Sequence, residues 1–338
     1  MKWMEILPYH HEVVHTSVLR HLLNDWRGDE RIEFLRRVTG NDSIVGVRNA
    51  RFETSLVKGR RLDLVADLEM DSGEVRNLAV EMKADSPWNW KQLTDSAPGD
   101  AVALLLSVGL THLTVRGSEL DAVKKSKKHS PDWHACGPGQ LATVIEDTFK
   151  AKRDLGSYIN ALREEEALHQ ASIEDVELLS TDHRWDPSRL EHLVRSRGDR
   201  NNCDEVMLFA YFKQALEVID AGPEPDWHWN RSRSGPAVIR AAETDRRNNW
   251  PVWLELRGDG GKGPELCVKL GAVRGTSLAD RRDEKREQLA AAGVAGQPTT
   301  RHVSASHKTT TAWSLDLWHT KPSEIEASVR AFEAVLLD

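Results

Sequence analysis

The chain has 338 residues, 46 Lys plus Arg against 53 Asp plus Glu, and a formal net charge of −7, which argues against a protein wrapped bodily by nucleic acid or pinned to an anionic membrane. Its 39% apolar and 29% charged residues exclude wholesale disorder, and the length suits two domains. The longest apolar stretch, Ala101 to Leu106 with Val108 to Leu110 just after it, falls far short of the roughly 20 residues of a membrane span. The opening MKWMEILPYHHE has no apolar secretory core, so a soluble, cytoplasmic protein is expected. Cys136, Cys203 and Cys267 are too far apart for a disulfide framework or a zinc knuckle and read as buried thiols.

Val13, Val14, Val18, Leu19, Leu22 and Leu23 recur at helical spacing and close at Asn24-Asp25, and a second short helix fits Glu30 to Val38. From Ser43 to Lys83 the period becomes two: Leu62, Leu64, Ala66 and Leu68 alternate with Asp63, Val65, Asp67 and Glu69, and Leu78, Val80 and Met82 with Ala79, Glu81 and Lys83. Asp71-Ser72-Gly73-Glu74 between these runs has hairpin-turn chemistry, which makes the two strands antiparallel neighbours. A short helix near Trp90 to Ser96 and strands near Val102 to Ser107 and Thr111 to Val115 complete a mixed αβ sheet. Gly137-Pro138-Gly139 then precedes one long helix from Gln140 to about His169, on which Arg163 to Glu166 reads as an exposed face. More helix is expected at Ile173 to Leu179, Pro187 to Arg197 and Asp204 to Ile219.

Gly222-Pro223-Glu224-Pro225 is the clearest breaker and marks a boundary. Beyond it, strand-like runs at Trp250 to Arg257, Glu265 to Leu270 and Ala312 to Trp318, with helices near Ser277 to Ala292 and Ser323 to Leu337, predict a small α+β module. Six of the 12 Trp fall there; core packing is the plain reading and a stacking platform for bases the sharper one. Residues 258–263, GDGGKG, lack the spacing of a phosphate-binding loop and read as a hairpin connection.

Glu81 and Lys83, two apart on one strand, project from the same face, and Asp63 on the preceding antiparallel strand can join them. Two carboxylates beside an ammonium are what metal-assisted phosphodiester hydrolysis needs: hard oxygen ligands for Mg²⁺ and a cation that orients the attacking water. A solvated strand face with a salt bridge has the same three residues.

Their context adds Glu12-(x)3-Thr16-(x)2-Leu19-(x)2-Leu22-Leu23-Asn24 ahead of Arg61-Leu62-Asp63-Leu64, Val80-Glu81-Met82-Lys83-Ala84 and Gln92-Leu93. In that order these resemble the PD-(D/E)XK nuclease superfamily, in the branch whose first helix reads E-x-x-H-[ST]-x-x-L-x-x-L-L. The resemblance covers about residues 10 to 165, with Trp133 and Tyr158-Ile159-(x)2-Leu162 in place. It implies a restriction-endonuclease-like core, a mixed β-sheet flanked by helices, over residues 1–165, a helical connection over 166–222 and an α+β module for substrate or partner binding over 223–338. It further implies Mg²⁺ or Mn²⁺ held by Asp63, Glu81, the Met82 backbone carbonyl and Glu12, with Lys83 positioning or activating water and Gln92 steadying the site. The implied substrate is nucleic acid, DNA ahead of RNA, and the implied setting is bacterial antiphage defence, with a partner protein of such a system as an option. Leu62 stands where the superfamily name has Pro, and Trp88 and Trp90 are an insertion ahead of Gln92 that departs from the family pattern. Asp85 also lies close enough in sequence to reach a metal, although a turn role suits it as well.

His11-Glu12-Val13-Val14-His15 also spells the zinc-peptidase motif H-E-x-x-H, with His21 at the third position of its longer form. That form needs a glycine at position 18, where this chain has Val18. In a continuous helix His21 lies about 240° around from His15. A zinc metallopeptidase is therefore the alternative, and a non-catalytic nuclease-like scaffold that binds DNA or a partner is a third reading. For phosphate contacts, the basic clusters Lys124, Lys125, Lys127 and Lys128, then Arg195, Arg197 and Arg200, and Arg231 with Arg233 are the candidates.

Overall fold

The computed structural model describes residues 12–26, 28–84, 93, 95–109, 112, 131–149, 153–179, 216, 219, 228–232, 235–241, 252–258, 264–300, 303, 307–317 and 319–337. The chain divides into two compact units, residues 1–171 with 197–200 and residues 172–196 with 201–338.

In the first unit α1 (Glu12–Asn24) buries His15, Thr16, Leu19, Leu22 and Leu23 along one stripe, as its apolar spacing predicts. Helix α2 (Glu30–Thr39) buries Phe34, Leu35 and Val38 and stops at Gly40, whose φ of 63° is the left-handed conformation that favours glycine. Strands β1 (Ile44–Val57), β2 (Arg60–Met70) and β3 (Val75–Lys83) form an antiparallel meander, and β4 (Val102–Ser107) and β5 (Trp133–Cys136) continue the sheet parallel to β3, in the order β1-β2-β3-β4-β5. The Asp71 to Glu74 turn joins β2 to β3 with the Met70 N–H on the Glu74 carbonyl at 2.9 Å. This is a mixed α/β sheet, as the change of period indicates.

Leu64, Leu68, Leu78, Val80, Met82, Leu104 and Leu106 pack against Leu22, Phe34, Leu141, Ile145 and Leu162 of the helices. The opposite face is not the solvated one that alternation suggests. Val65, Ala79 and Leu105 on it are fully buried, because β3 and β4 are interior strands of a sheet whose parallel part is covered on both sides.

Three expectations change. The long helix after Gly137 is two helices, α3 (Pro138–Thr148) and α4 (Arg153–Leu179). The break falls at Phe149, which leaves helical geometry (φ −107°, ψ 44°) and stacks edge-on against Trp26, ring centroids 4.6 Å apart. Residues Ile173 to Leu179 continue α4 and are not a separate helix. On α4, Glu165 is buried rather than exposed and lies 2.8 Å from the His169 ring, and Glu166 accepts the Gly139 N–H at 3.1 Å. The strand expected at Thr111 to Val115 lies outside the described residues except for His112, whose N–H turns back onto the Gly109 carbonyl. The fifth strand of the described sheet, Trp133–Cys136, is additional to the expected ones, four residues long and too short to show a period.

The second unit carries a sheet in the order β10-β11-β9-β8-β7-β6, built from β6 (His228–Ser232), β7 (Gly235–Ala241), β8 (Val252–Gly258), β9 (Pro264–Gly271), β10 (Gln297–Pro298) and β11 (Thr309–Asp316), every pairing antiparallel. Helices α5 (Leu278–Ala291) and α6 (Pro322–Leu337) accompany it, so this unit is α+β. The hairpin β6–β7 is additional to the expected strands; its arginines, Gly235 and Pro236 hide the alternation. Trp253 and Trp313 are buried, with their indole N–H groups on Glu255 and on the Ala295 carbonyl, which is core packing rather than a stacking platform. Cys136 and Cys267 are free and buried; Cys203 lies outside the described residues. Among the described residues no helix is long and apolar enough to cross a membrane.

One hydrogen-bond pair ties α1 to the sheet edge. The register of β1 on β2 slips between Arg48 and Arg51, and Asn49 there has φ 57°, a β-bulge that leaves backbone groups without a strand partner. The Asn24 carboxamide replaces that partner, donating to the Ala50 carbonyl at 2.9 Å and accepting its N–H at 3.1 Å. Replacing Asn24 by Ala is expected to destabilise the first unit by about 1–3 kcal/mol, read from the midpoint of urea unfolding; an unchanged midpoint would contradict the clamp.

Candidate metal and phosphate site

β2 and β3 pair from Glu69↔Val75 to Leu64↔Val80. One step further the Asp63 carboxylate accepts the Met82 N–H at 2.6 Å, taking a donor that a continued ladder would have claimed. A side chain thus substitutes for backbone where the strands part, and the parting lets Asp63 reach β3. The Lys83 ammonium lies at the same end of the sheet. Its Nζ donates to Glu81 Oε1 at 2.7 Å and to the Met82 carbonyl at 3.0 Å, and stands 3.8 Å from Glu12 Oε1. Glu12 opens α1, so the first helix delivers a third carboxylate. Glu81 is 1% and Lys83 7% exposed.

Burial is the dominant perturbation of the acids. It pushes the Glu81 carboxyl up to about 7, with the Lys83 ammonium opposing and Asp63 and Glu12 reinforcing the rise. Burial also raises Asp63, against the pull of Lys83 and of the Met82 N–H. For Lys83 burial works against the charged form, yet Glu81 and Glu12 outweigh it and hold the ammonium above its ordinary value. Lys83 is therefore a cation at neutral pH, suited to orienting an anion or a water and unsuited to removing a proton.

Among the described residues, two carboxylates, a third from α1 and one carbonyl make an oxygen donor set beside the Lys83 ammonium. In kind it fits a hard divalent ion such as Mg²⁺ or Mn²⁺ and not zinc. In arrangement Lys83 holds Glu81 Oε1 and the Met82 carbonyl, and among the described residues no three His, Cys, Asp or Glu side chains converge as a metal-holding group. A metal ion would therefore have to displace the ammonium from these oxygens.

The structure thus brings together Glu12, Asp63, Glu81, Met82 and Lys83 out of the residues expected from the sequence. Gln92, Asp85, Trp88, Trp90 and His11 lie outside the described residues, as do the basic clusters at 124–128 and 195–200 and the side chains of Arg231 and Arg233. His15 turns to the core, where its ring is 1% exposed and its Nδ1 lies 2.9 Å from the Tyr158 hydroxyl. His21 faces away and pairs with Asp25 at 2.8 Å. A polar chain next to the site was not readable in sequence: Ser107, paired in register with Lys83, lies 2.8 Å from His112 Nδ1, and the His112 ring stacks on His169, the partner of Glu165. Only tertiary structure joins residues so far apart in the chain. Compared with protein-family models, curated proteins and solved structures, the chain matches none.

Because the Glu81 carboxyl is raised from 4.5 to about 7, the folded state holds a proton between those values that the unfolded chain releases. Its contribution to stability is full below pH 4.5, declines as pH rises and is lost above about 7, with an amplitude on the order of 3 kcal/mol. In chelator-treated buffer, Glu81→Gln is expected to remove this decline from a stability-against-pH series; a variant with the same slope as the parent would contradict the assignment.

Proposed function

We propose that the chain is a divalent-metal-dependent nuclease of the PD-(D/E)XK kind, hydrolysing phosphodiester bonds of nucleic acid, DNA ahead of RNA, from a restriction-endonuclease-like core. The observation that carries this reading is the Asp63 carboxylate bonded to the Met82 N–H where β2 and β3 part, next to the buried Glu81–Lys83 pair. A merely structural salt bridge gains little from burial, since desolvating both ions offsets their attraction. Among the described residues Glu12 and Glu81 lie within ion-pair distance of the Lys83 ammonium and Asp63 stands close enough to feel its charge, and a bound divalent cation would balance these acids.

Asp63, Glu81 and the Met82 carbonyl would hold the ion, with Glu12 completing the acidic rim. When bound, a divalent cation supplies charge stabilisation at the phosphate and acidifies a water. Lys83, kept protonated by its neighbours, orients that water or a phosphate oxygen. An ammonium on a flexible four-carbon stem, with three rotatable donors, can turn from a carboxylate to a substrate oxygen with a small movement. The Asp63 bond to the strand backbone fixes one carboxylate against the sheet, so that binding requires little reordering at that ligand.

Asp63→Asn keeps an acceptor for the Met82 N–H and removes only the charge, so its fold is expected to survive. With plasmid and single-stranded substrates in Mg²⁺ or Mn²⁺, this variant should lose cleavage by at least about 10²-fold, while the parent cleaves and chelator abolishes its activity. Full cleavage by Asp63→Asn would sink the assignment, and nucleic-acid binding without cleavage by the parent under either ion would favour the non-catalytic scaffold.

A further inference from the structure

The long β1–β2 ribbon ends in the turn Val57-Lys58-Gly59-Arg60, where Gly59 has φ 77° and Val57 pairs with Arg60. Residues 54–62, TSLVKGRRL, hold three cations and no acid in a chain of net charge −7. Lys58, Arg60 and Arg61 are all exposed. They lie at the Asp63 end of the sheet. Arg61 and Asp63 are two apart on β2 and so share a face, with Arg61 about 7 Å along the strand from Asp63. Asp63 feels the Glu53 carboxylate, the same group that Arg61 contacts at 3.0 Å, so the ribbon tip and the acidic site share one electrostatic field.

The existing partners of these cations are weak holds. Arg61 and Glu53 are about seven-tenths exposed, Arg60 reaches Asp95 only at 3.3 Å, and Lys58 makes no ion pair among the described residues. Exposed pairs of this kind contribute at most about 1 kcal/mol and exchange readily for a phosphate. The ribbon is also aimed. Its register slips between Arg48 and Arg51 and again between Thr54 and Val57, with positive φ at Asn49 and Glu53, irregularities of the kind that twist a ribbon, and Asn24 pins the first of them to α1. Arg20 of α1 stacks over Phe52 with its guanidinium carbon 4.6 Å from the ring centroid, bracing the same stretch.

We propose that the tip of the β1–β2 ribbon, Lys58 with Arg60 and Arg61, is the arm that grips the nucleic-acid backbone, taking phosphates next to the one placed over Asp63, Glu81 and Lys83. The inference rests on the nuclease reading and adds the surface that binds substrate, which the densest charge clusters of the sequence do not include. The ligand chemistry is a row of phosphodiesters, common to DNA and RNA.

The experiment measures anisotropy of short labelled DNA and RNA strands, single and duplex, on the full chain carrying Asp63→Asn, from about 50 to about 200 mM salt. Adding Lys58→Ala and Arg61→Ala together is expected to weaken binding about tenfold at low salt and to lower the slope of log Kd against log salt by about 2, one phosphate contact per residue. Arg76→Ala, an exposed cation at the other end of β3, serves as the control and should leave the slope unchanged. The preference between DNA and RNA arms assigns the source of the backbone. Equal weakening by Arg76→Ala, no weakening by the ribbon pair, or no binding by any form would overturn the proposal. Loss of binding in the ribbon pair while Asp63→Asn still cleaves would spare the arm and reject the nuclease site; unchanged binding with Asp63-dependent cleavage would do the reverse.

Discussion

A glutamate and a lysine two residues apart on an interior strand can leave water only together, and the rest of the first unit is arranged around that constraint. Glu81 and Lys83 sit on a face of β3 that is as buried as the helix-covered one. The cost of desolvating them is met by a 2.7 Å contact between them and by the Met82 carbonyl at 3.0 Å. Separated, either charge would have to neutralise or drag water into the sheet. The strand that carries them is gripped on one side by parallel β4 up to Lys83↔Ser107 and released on the other side by β2 after Leu64↔Val80. That asymmetry lets a third group join the pair: β4 keeps the charges in register while β2 parts from β3 and Asp63 reaches the Met82 N–H.

Much of this was legible in the amino-acid order. The α1 stripe, the β2–β3 hairpin and the Asp63, Glu81 and Lys83 face all follow from spacing, because periods of 3.6 and 2 are local properties of the backbone. What the order conceals is burial and breakage. Alternation in β3 assigns Glu81 and Lys83 to the polar side, but a sheet with parallel strands covers both sides, so polarity does not mean exposure there. Phe149 reads as one more apolar helical residue until its stacking on Trp26 shows why the helix ends. β5 and the chain from Ser107 through His112 to His169 depend on segments meeting in space, which no local period encodes.

Helix α1 carries two overlapping sequence patterns, and its docking decides where their described residues point. Helix α1 is docked through Leu19, Leu22 and Leu23, which fixes its rotation about its axis. That rotation buries His15 against Tyr158 and leaves Glu12 facing Lys83. Core packing, rather than metal chemistry, selects which of the motif's residues reach the sheet end. The same logic applies to charge. A chain with net charge −7 is a poor general polyanion binder, yet Glu12, Asp63 and Glu81 gather where a divalent ion could offset them, and among the described residues Lys58, Arg60 and Arg61 are exposed on the ribbon tip at the same end of the sheet.

Asp63, Glu81 and the Met82 carbonyl are proposed to hold a divalent ion beside a protonated lysine. A crystal structure with Mn²⁺, located by its anomalous scattering, tests this most directly. One Mn²⁺ between Asp63 and Glu81, with Lys83 displaced from Glu81 Oε1, is the expected result. Metal on His15 and the opening segment of α1, with Asp63 and Glu81 unchanged, would contradict it.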